Sequence, residues 1–251
     1  MNVQKVILGS TCNPYYLDFW PLVSKVWKLR FNIHPVLYLI HDDKQTKINS
    51  EYGDVVYIEP VNGVELSLQA QWVRYWVPST ELDTTWMISD IDMIPINRKY
   101  FLETPKQYSD NMFINLNAQV IGGFPACYNI AKGKTFKDVL NLPDTFEQSL
   151  NNTKFWESNY PHTPENSNIN AKYWAVDEMH SNGKISLYHD KSIFANPPRP
   201  GGFCKMRLDR LSWRFNDDEI RREYYMDAHC PRPYSAHKES IDRIVNILLS
   251  T

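Results

Sequence analysis

Trp86-Met87-Ile88-Ser89-Asp90-Ile91-Asp92-Met93-Ile94-Pro95 is the stretch on which the fold turns. A short apolar strand runs into two carboxylates one residue apart. Held together at a strand end, they repel each other unless a cation joins them. An all-oxygen donor set of this kind suits Mg²⁺ or Mn²⁺, which keep positions open for water and phosphate oxygens. An ion so held can bridge a nucleotide diphosphate and offset the charge of a departing group. Asp-x-Asp also occurs in solvated surface turns. The buried strand before it and the Ile94-Pro95 pair after it argue for a built site.

Towards the N-terminus the same pattern repeats. Val6-Ile7-Leu8, Val36-Leu37-Tyr38-Leu39-Ile40 and Val55-Val56-Tyr57-Ile58 read as short buried strands. Residues 17–31 and 66–77 carry apolar positions at helical spacing, with Pro21 early in the first and Pro78 ending the second. Such alternation predicts an α/β fold, a mostly parallel sheet flanked by helices. Ligands of these sheets sit at the carboxyl ends of the strands. Ser10, Thr11, Asp42, Asp43, Asp90 and Asp92 all fall there. From about residue 104 the pattern breaks into short segments and Asn-, Pro- and Ser-rich loops. Helical spacing returns over 236–250.

Here the chain resembles the glycosyltransferases of the GT-A fold, whose signature is an Asp-x-Asp at the end of the fourth strand. Pro95, Asn97, Arg98 and Tyr100-Phe101 follow the motif as they do in a set of bacterial and large-virus enzymes of this kind. The resemblance implies one GT-A domain over 1–251, with a Rossmann-like nucleotide-sugar-binding half (1–103). An irregular acceptor-binding half with a C-terminal helix (104–251) would complete it. It implies a nucleotide-sugar donor, with a UDP-sugar favoured, and a glycan or glycoconjugate acceptor.

Residue by residue, the resemblance implies that Ser10 and Thr11 open the nucleotide site. Gln71 and Arg74 lie on the helix abutting the nucleotide, and Ser89 and Asp90 lie against the donor. Asp90 and Asp92 would hold Mn²⁺ or Mg²⁺, with His229 completing the metal shell ahead of His189 and His237. Arg232 would pair with phosphate. Gly123, in Ile121-Gly122-Gly123, would let backbone approach the donor sugar, although two ordinary turns fit the same residues. Tyr173-Trp174-Ala175-Val176-Asp177-Glu178 falls where inverting members place an acidic pair. Asp177 is the first candidate for the general base, and Glu178 the alternative, because the family's pair reads Glu-Asp. A helix cap followed by a first-turn Glu fits the same residues. Arg207-Leu208-Asp209-Arg210 and Trp213 suit acceptor hydroxyls or an ordinary surface ion-pair cluster.

The bulk properties narrow the alternatives. A net charge of −2 leaves no basic field for nucleic acid. The apolar runs are far short of the ~20 residues of a membrane span, and the N-terminus leads directly into a strand. Cys12, Cys127, Cys204 and Cys230 are scattered, so neither a zinc site nor a disulfide framework is expected. These features together predict a cytoplasmic protein without a transmembrane segment. Aromatics at 14% suit a sugar-binding surface, though most belong in the core. A non-catalytic carbohydrate-binding module would account for the aromatics but leave the strand-end carboxylates unexplained. A sugar nucleotidyltransferase would open with a Gly-rich loop and a nearby cation. Gly9-Ser10-Thr11-Cys12-Asn13-Pro14 has a single glycine and no cation. A retaining glycosyltransferase of the same fold stays open.

Overall fold

The computed structural model describes residues 1–41, 47–117, 124–159, 176–200 and 206–250. Its strands are β1 (Lys5–Thr11), β2 (His34–Ile40), β3 (Asp54–Ile58), β4 (Thr85–Ile88), β5 (Met93–Pro95), β6 (Phe113–Asn115), β7 (Asn129–Lys132), β8 (Phe194–Ala195), β9 (Arg207–Leu208) and β10 (Asp227–His229). Its α-helices are α1 (Pro14–Leu17), α2 (Trp20–Leu29), α3 (Leu66–Trp76), α4 (Thr104–Lys106), α5 (Gly133–Leu140), α6 (Phe146–Asn159), α7 (Val176–Leu187), α8 (Asp217–Arg221) and α9 (Tyr234–Ser250).

Seven strands form one sheet in the order β3-β2-β1-β4-β7-β6-β8. Strands β1 to β4 are parallel, β7 runs against β4 and β6, and β8 is parallel to β6. The expected mostly parallel α/β sheet is therefore present. The regular strands in the second half were not expected there. Val6 and Leu8 face a core with Trp20, Val23 and Trp27 of α2 and Ile241, Ile244 and Val245 of α9. Ile7, between them, faces the other core, with Trp72 and Val73 of α3 and Phe136 and Val139 of α5. Burial on both faces explains why β1 reads as a continuous apolar run rather than an alternating one.

Strand order reverses at β1, since β2 and β3 lie on one side and β4 on the other. Open α/β sheets hold their ligands at such a switch point, which here is the carboxyl ends of β1 and β4, at Thr11 and just before Ser89. A second sheet, β5-β10-β9, begins directly after Asp92. Its β10 runs antiparallel to β5 with His229 opposite Met93, and the Cys230 N–H donates to the Asp92 carbonyl at 2.9 Å. That register carries a residue late in the chain to the Asp-x-Asp turn.

Helix α3 lies unusually close to β1 because residue 9 is glycine. A Cβ there would stand 1.9 Å from the Ala70 carbonyl oxygen and 3.1 Å from Arg74 Cγ. The close approach places the Arg74 side chain over the end of the sheet. Gly9→Ala is expected to push α3 outward and destabilise the fold by about 1–3 kcal/mol, the usual cost of overpacking. Urea denaturation checks this, and an unchanged midpoint would show that α3 can shift freely.

Candidate active site

Five segments meet at this end of the sheet: the ends of β1 and β4, the α3 face carrying Arg74, the first turn of α7, and the stretch from β9 to Arg232. Arg74 is 5% exposed and uses every nitrogen of its guanidinium. Nε donates to the Gln71 carbonyl at 3.1 Å and Nη1 to the Ser89 carbonyl at 3.2 Å. Nη1 also donates to Asp90 Oδ1, and Nη2 to Asp177 Oδ2 at 3.1 Å. Burial acts to lower the Arg74 pKa, but Asp90 and Asp177 outweigh it and raise it. Arg74 is thus enclosed by protein groups.

Asp92 lies on the other side of the turn. Its Oδ2 is buried and makes no hydrogen bond. Around it, at ion-pair distance, are Arg232 Nε at 3.4 Å, His229 Nε2 at 3.5 Å and Arg210 Nη1 at 3.8 Å. Burial works to raise the Asp92 carboxyl, yet His229, Arg232 and Arg210 together hold it below the usual carboxylate range. Asp209 Oδ2 stands 3.9 Å from His229 Nδ1, on the side of the ring away from Asp92. Arg232 also stacks against Tyr15 and Tyr16, 5.4 and 4.7 Å from their ring centres.

The structure therefore brings Asp92 and His229 together, and sets Asp90 apart from them in an ion pair with Arg74. Among the described residues no group of three or more His, Cys, Asp or Glu is gathered closely enough to hold a metal ion. The donor set still fits Mn²⁺ or Mg²⁺, which bind through one or two carboxylates and take remaining ligands from phosphate and water. The buried, unbonded Asp92 Oδ2 beside an imidazole nitrogen is the specific observation behind that fit. A carboxylate near the far ring nitrogen is the arrangement that steadies a metal-binding histidine.

The acidic pair divides in two. Asp177 is buried against Arg74, and burial raises its pKa while Arg74 opposes the rise. Glu178 is half-buried and accepts the Ala126 N–H at 2.9 Å. Burial first, and the neighbouring Asp177 second, push its carboxyl up to about 7. Asn182, one turn along α7, accepts the Phe124 N–H at 2.6 Å, so α7 is tied to residues 124–126.

Other expected residues are engaged locally. Ser10 Oγ donates to the Thr11 carbonyl at 2.9 Å, and Thr11 Oγ1 accepts the Asn13 N–H at 3.3 Å. Ser89 is fully buried, its hydroxyl on the Asp90 carbonyl at 3.3 Å. Gln71 Oε1 is buried without a hydrogen-bond partner. Gly123, Asp42, Asp43 and Cys204 lie outside the described residues, as does 173–175. His189 stacks on Tyr188, and His237 lies on α9.

Sequence reasoning missed two features. One is the Tyr15-Tyr16 platform beneath Arg232, which no spacing signalled. The other is a buried network behind His229. Arg199 donates to Asp227 Oδ1 at 2.6 Å and Asn117 Oδ1 at 3.0 Å, while Arg207 grips both Asp227 oxygens at 3.0 and 2.8 Å. Burial would raise the Asp227 carboxyl, but Arg207 and Arg199 hold it well below its usual range.

The backbone has solved counterparts. It superposes on the galactosyltransferase LgtC, solved in complex with donor and acceptor sugar analogues, at a TM-score of 0.51 and 12% identity, covering 98% of this chain and 96% of LgtC. It superposes on the glycosyltransferase GlyE of Streptococcus pneumoniae at a TM-score of 0.53 and 12% identity, covering 99% of this chain and 63% of GlyE. No protein-family model matches the chain, and no curated protein matches its sequence. At this identity the likeness is one of fold, and the fold is the GT-A glycosyltransferase fold expected from the Asp-x-Asp strand.

Proposed function

We propose that the protein is a glycosyltransferase that moves a sugar from a nucleotide-diphosphate donor, a UDP-sugar by preference, to a hydroxyl of a glycan acceptor. The observation that carries this reading is the linking of two opposite environments at one end of the sheet. Asp92 sits among His229, Arg210 and Arg232, and Glu178, joined to the same turn through Asp90, Arg74 and Asp177, is a carboxyl tuned towards neutrality. The first environment suits a diphosphate and its counter-cation, the second a proton transfer. LgtC, with the same fold, was solved with donor and acceptor sugar analogues bound, which supports the same substrate classes here.

Asp92, His229 and Asp90 are the residues that would hold Mn²⁺ or Mg²⁺, which when bound supplies charge compensation for the departing diphosphate. Arg210 and Arg232 orient the phosphates through charge-assisted hydrogen bonds. Asp177 keeps Arg74 neutralised and in place. Glu178, rather than the ion-paired Asp177, takes the acceptor proton as the hydroxyl attacks the anomeric carbon, which gives inversion. A second reading draws on the same distances. With Arg210 and Arg232 already facing Asp92, the guanidinium groups alone would hold the diphosphate, and activity would survive a chelator.

Incubation with a panel of sugar nucleotides and Mn²⁺ is expected to release nucleoside diphosphate. Pyrophosphate would indicate nucleotidyl transfer, and no product would leave binding alone. Asp92→Ala is expected to lower that release by about 10²-fold or more, the scale of losing one preorganised electrostatic contact. Full activity in Asp92→Ala would overturn the assignment.

The Glu178 carboxyl sets the pH dependence. As the base must be ionised, kcat is expected to rise with pH through about 7. Glu178→Gln should remove that limb and lower kcat by about 10²–10⁴-fold. Folding carries the opposite sign. The folded state holds this proton from the ordinary value of 4.5 up to about 7, so the stability it confers is present below 4.5 and lost as pH rises through 7. Thermal melts should therefore decline less over that window in Glu178→Gln than in the wild type. Identical pH profiles of rate in the two proteins would remove Glu178 from the chemistry.

A further inference from the structure

Arg74 stands between the two acidic parts of the site. Its side chain is 7% exposed, against 36% for Asp90 and 4% for Asp177. Nη1 reaches Asp90 from one side and Nη2 reaches Asp177 from the other, while the Ser89 and Gln71 carbonyls fix the rest of the fork. Glu178, Tyr75 and Cys127 also couple electrostatically to this cluster. One guanidinium thus serves two carboxylates from elements far apart in sequence, the turn after β4 and the first turn of α7.

We infer that Arg74 is a positioning residue that couples cation binding at Asp90 to the setting of the Asp177-Glu178 pair. This rests on the divalent-cation reading of Asp90, Asp92 and His229. Arg74 occupies Asp90 as a resident counter-ion, so an incoming divalent ion competes with it for that carboxylate. As the ion takes Asp90, the Arg74 charge falls more fully on Asp177, which leads straight into Glu178. The two ends of the cluster must then respond with opposite sign. Removing Arg74 frees Asp90 and tightens the metal site. Neutralising Asp177 leaves Arg74 to Asp90 alone and weakens it. Damage to packing would not produce that pair of opposite effects.

The test is Mn²⁺ binding to the full chain, measured by the EPR signal of the free ion. Arg74→Gln is expected to bind Mn²⁺ about tenfold more tightly, and Asp177→Asn about tenfold more weakly, a coupling of ordinary size between adjacent sites. Arg74→Gln leaves Asp177 buried without its partner and is at risk of unfolding. The double variant Arg74→Gln/Asp177→Asn removes both charges together and should also bind more tightly than the wild type. Equal affinity in all the folded variants, or shifts of the same sign in Arg74→Gln and Asp177→Asn, would overturn the coupling while leaving the metal reading intact. Absence of Mn²⁺ binding in the wild type, both alone and with a nucleoside diphosphate present, would overturn both.

Discussion

A guanidinium buried at the end of a parallel sheet constrains everything around it. Taking such a charge out of water costs several kcal/mol unless carboxylates and carbonyls replace its hydration. Arg74 is admitted because Asp90 and Asp177 flank it and two backbone carbonyls take its remaining donors. Those partners belong to separate elements, so the turn after β4 and the start of α7 are placed by the same group. Gly9 sets the distance from below, since any side chain there would meet the Ala70 carbonyl and lift α3. Sequence, packing and site are linked through one missing Cβ and one buried charge.

The opposite wall is built by a different means. His229 reaches Asp92 through backbone register, as β10 pairs with β5 and the Cys230 N–H extends the ladder to the Asp92 carbonyl. Three-residue strands are weak on their own, and here side chains hold the ladder. Asp227, at the head of β10, is fully buried and bonded to both Arg199 and Arg207. Arg207 lies on β9, the parallel neighbour of β10, and Arg199 ties in Asn117 after β6. A polar network of this kind is stable only when its members are satisfied, which makes it a specific lock on the strand carrying His229.

What could be read from the sequence follows from how local each signal is. Strands β1, β2 and β4 are apolar runs buried on both faces, and a composition window finds them. The pairing of Asp90 and Asp92 is likewise local. Strands β6 (Phe-Ile-Asn), β7 (Asn-Ile-Ala-Lys) and β8 (Phe-Ala) are too short and too polar to declare themselves. Their burial comes from neighbours elsewhere in the chain. The Arg74 contacts show the same limit. Its place on a helix next to the Asp-x-Asp strand was legible, but its partner Asp177 lies 103 residues away, so an inward-facing ion pair could not be told from a nucleotide contact. Asp177 and Glu178 were legible as a pair. Their separation into a fully enclosed, ion-paired member and a half-buried one without an arginine partner among the described residues depends on burial, which sequence does not carry.

The surroundings of Asp92 bear on how donor and cation would arrive under the proposed function. The carboxylate already has Arg232, His229 and Arg210 within 3.8 Å, so a divalent ion alone would enter a region rich in positive charge. A diphosphate alone would gain the two arginines but meet the Asp92 charge beside them. A cation and a diphosphate arriving together satisfy both sets of groups. The phosphates would draw Arg210 and Arg232 away from Asp92 and leave the carboxylate to the ion. Each component lowers the electrostatic cost of binding the other, and linkage makes that help mutual. On the far side of the turn, Arg74 imposes the same condition on Asp90. Both aspartates of the motif are therefore guarded by protein cations, and under the proposed function the site would suit the cation–diphosphate pair more closely than either alone.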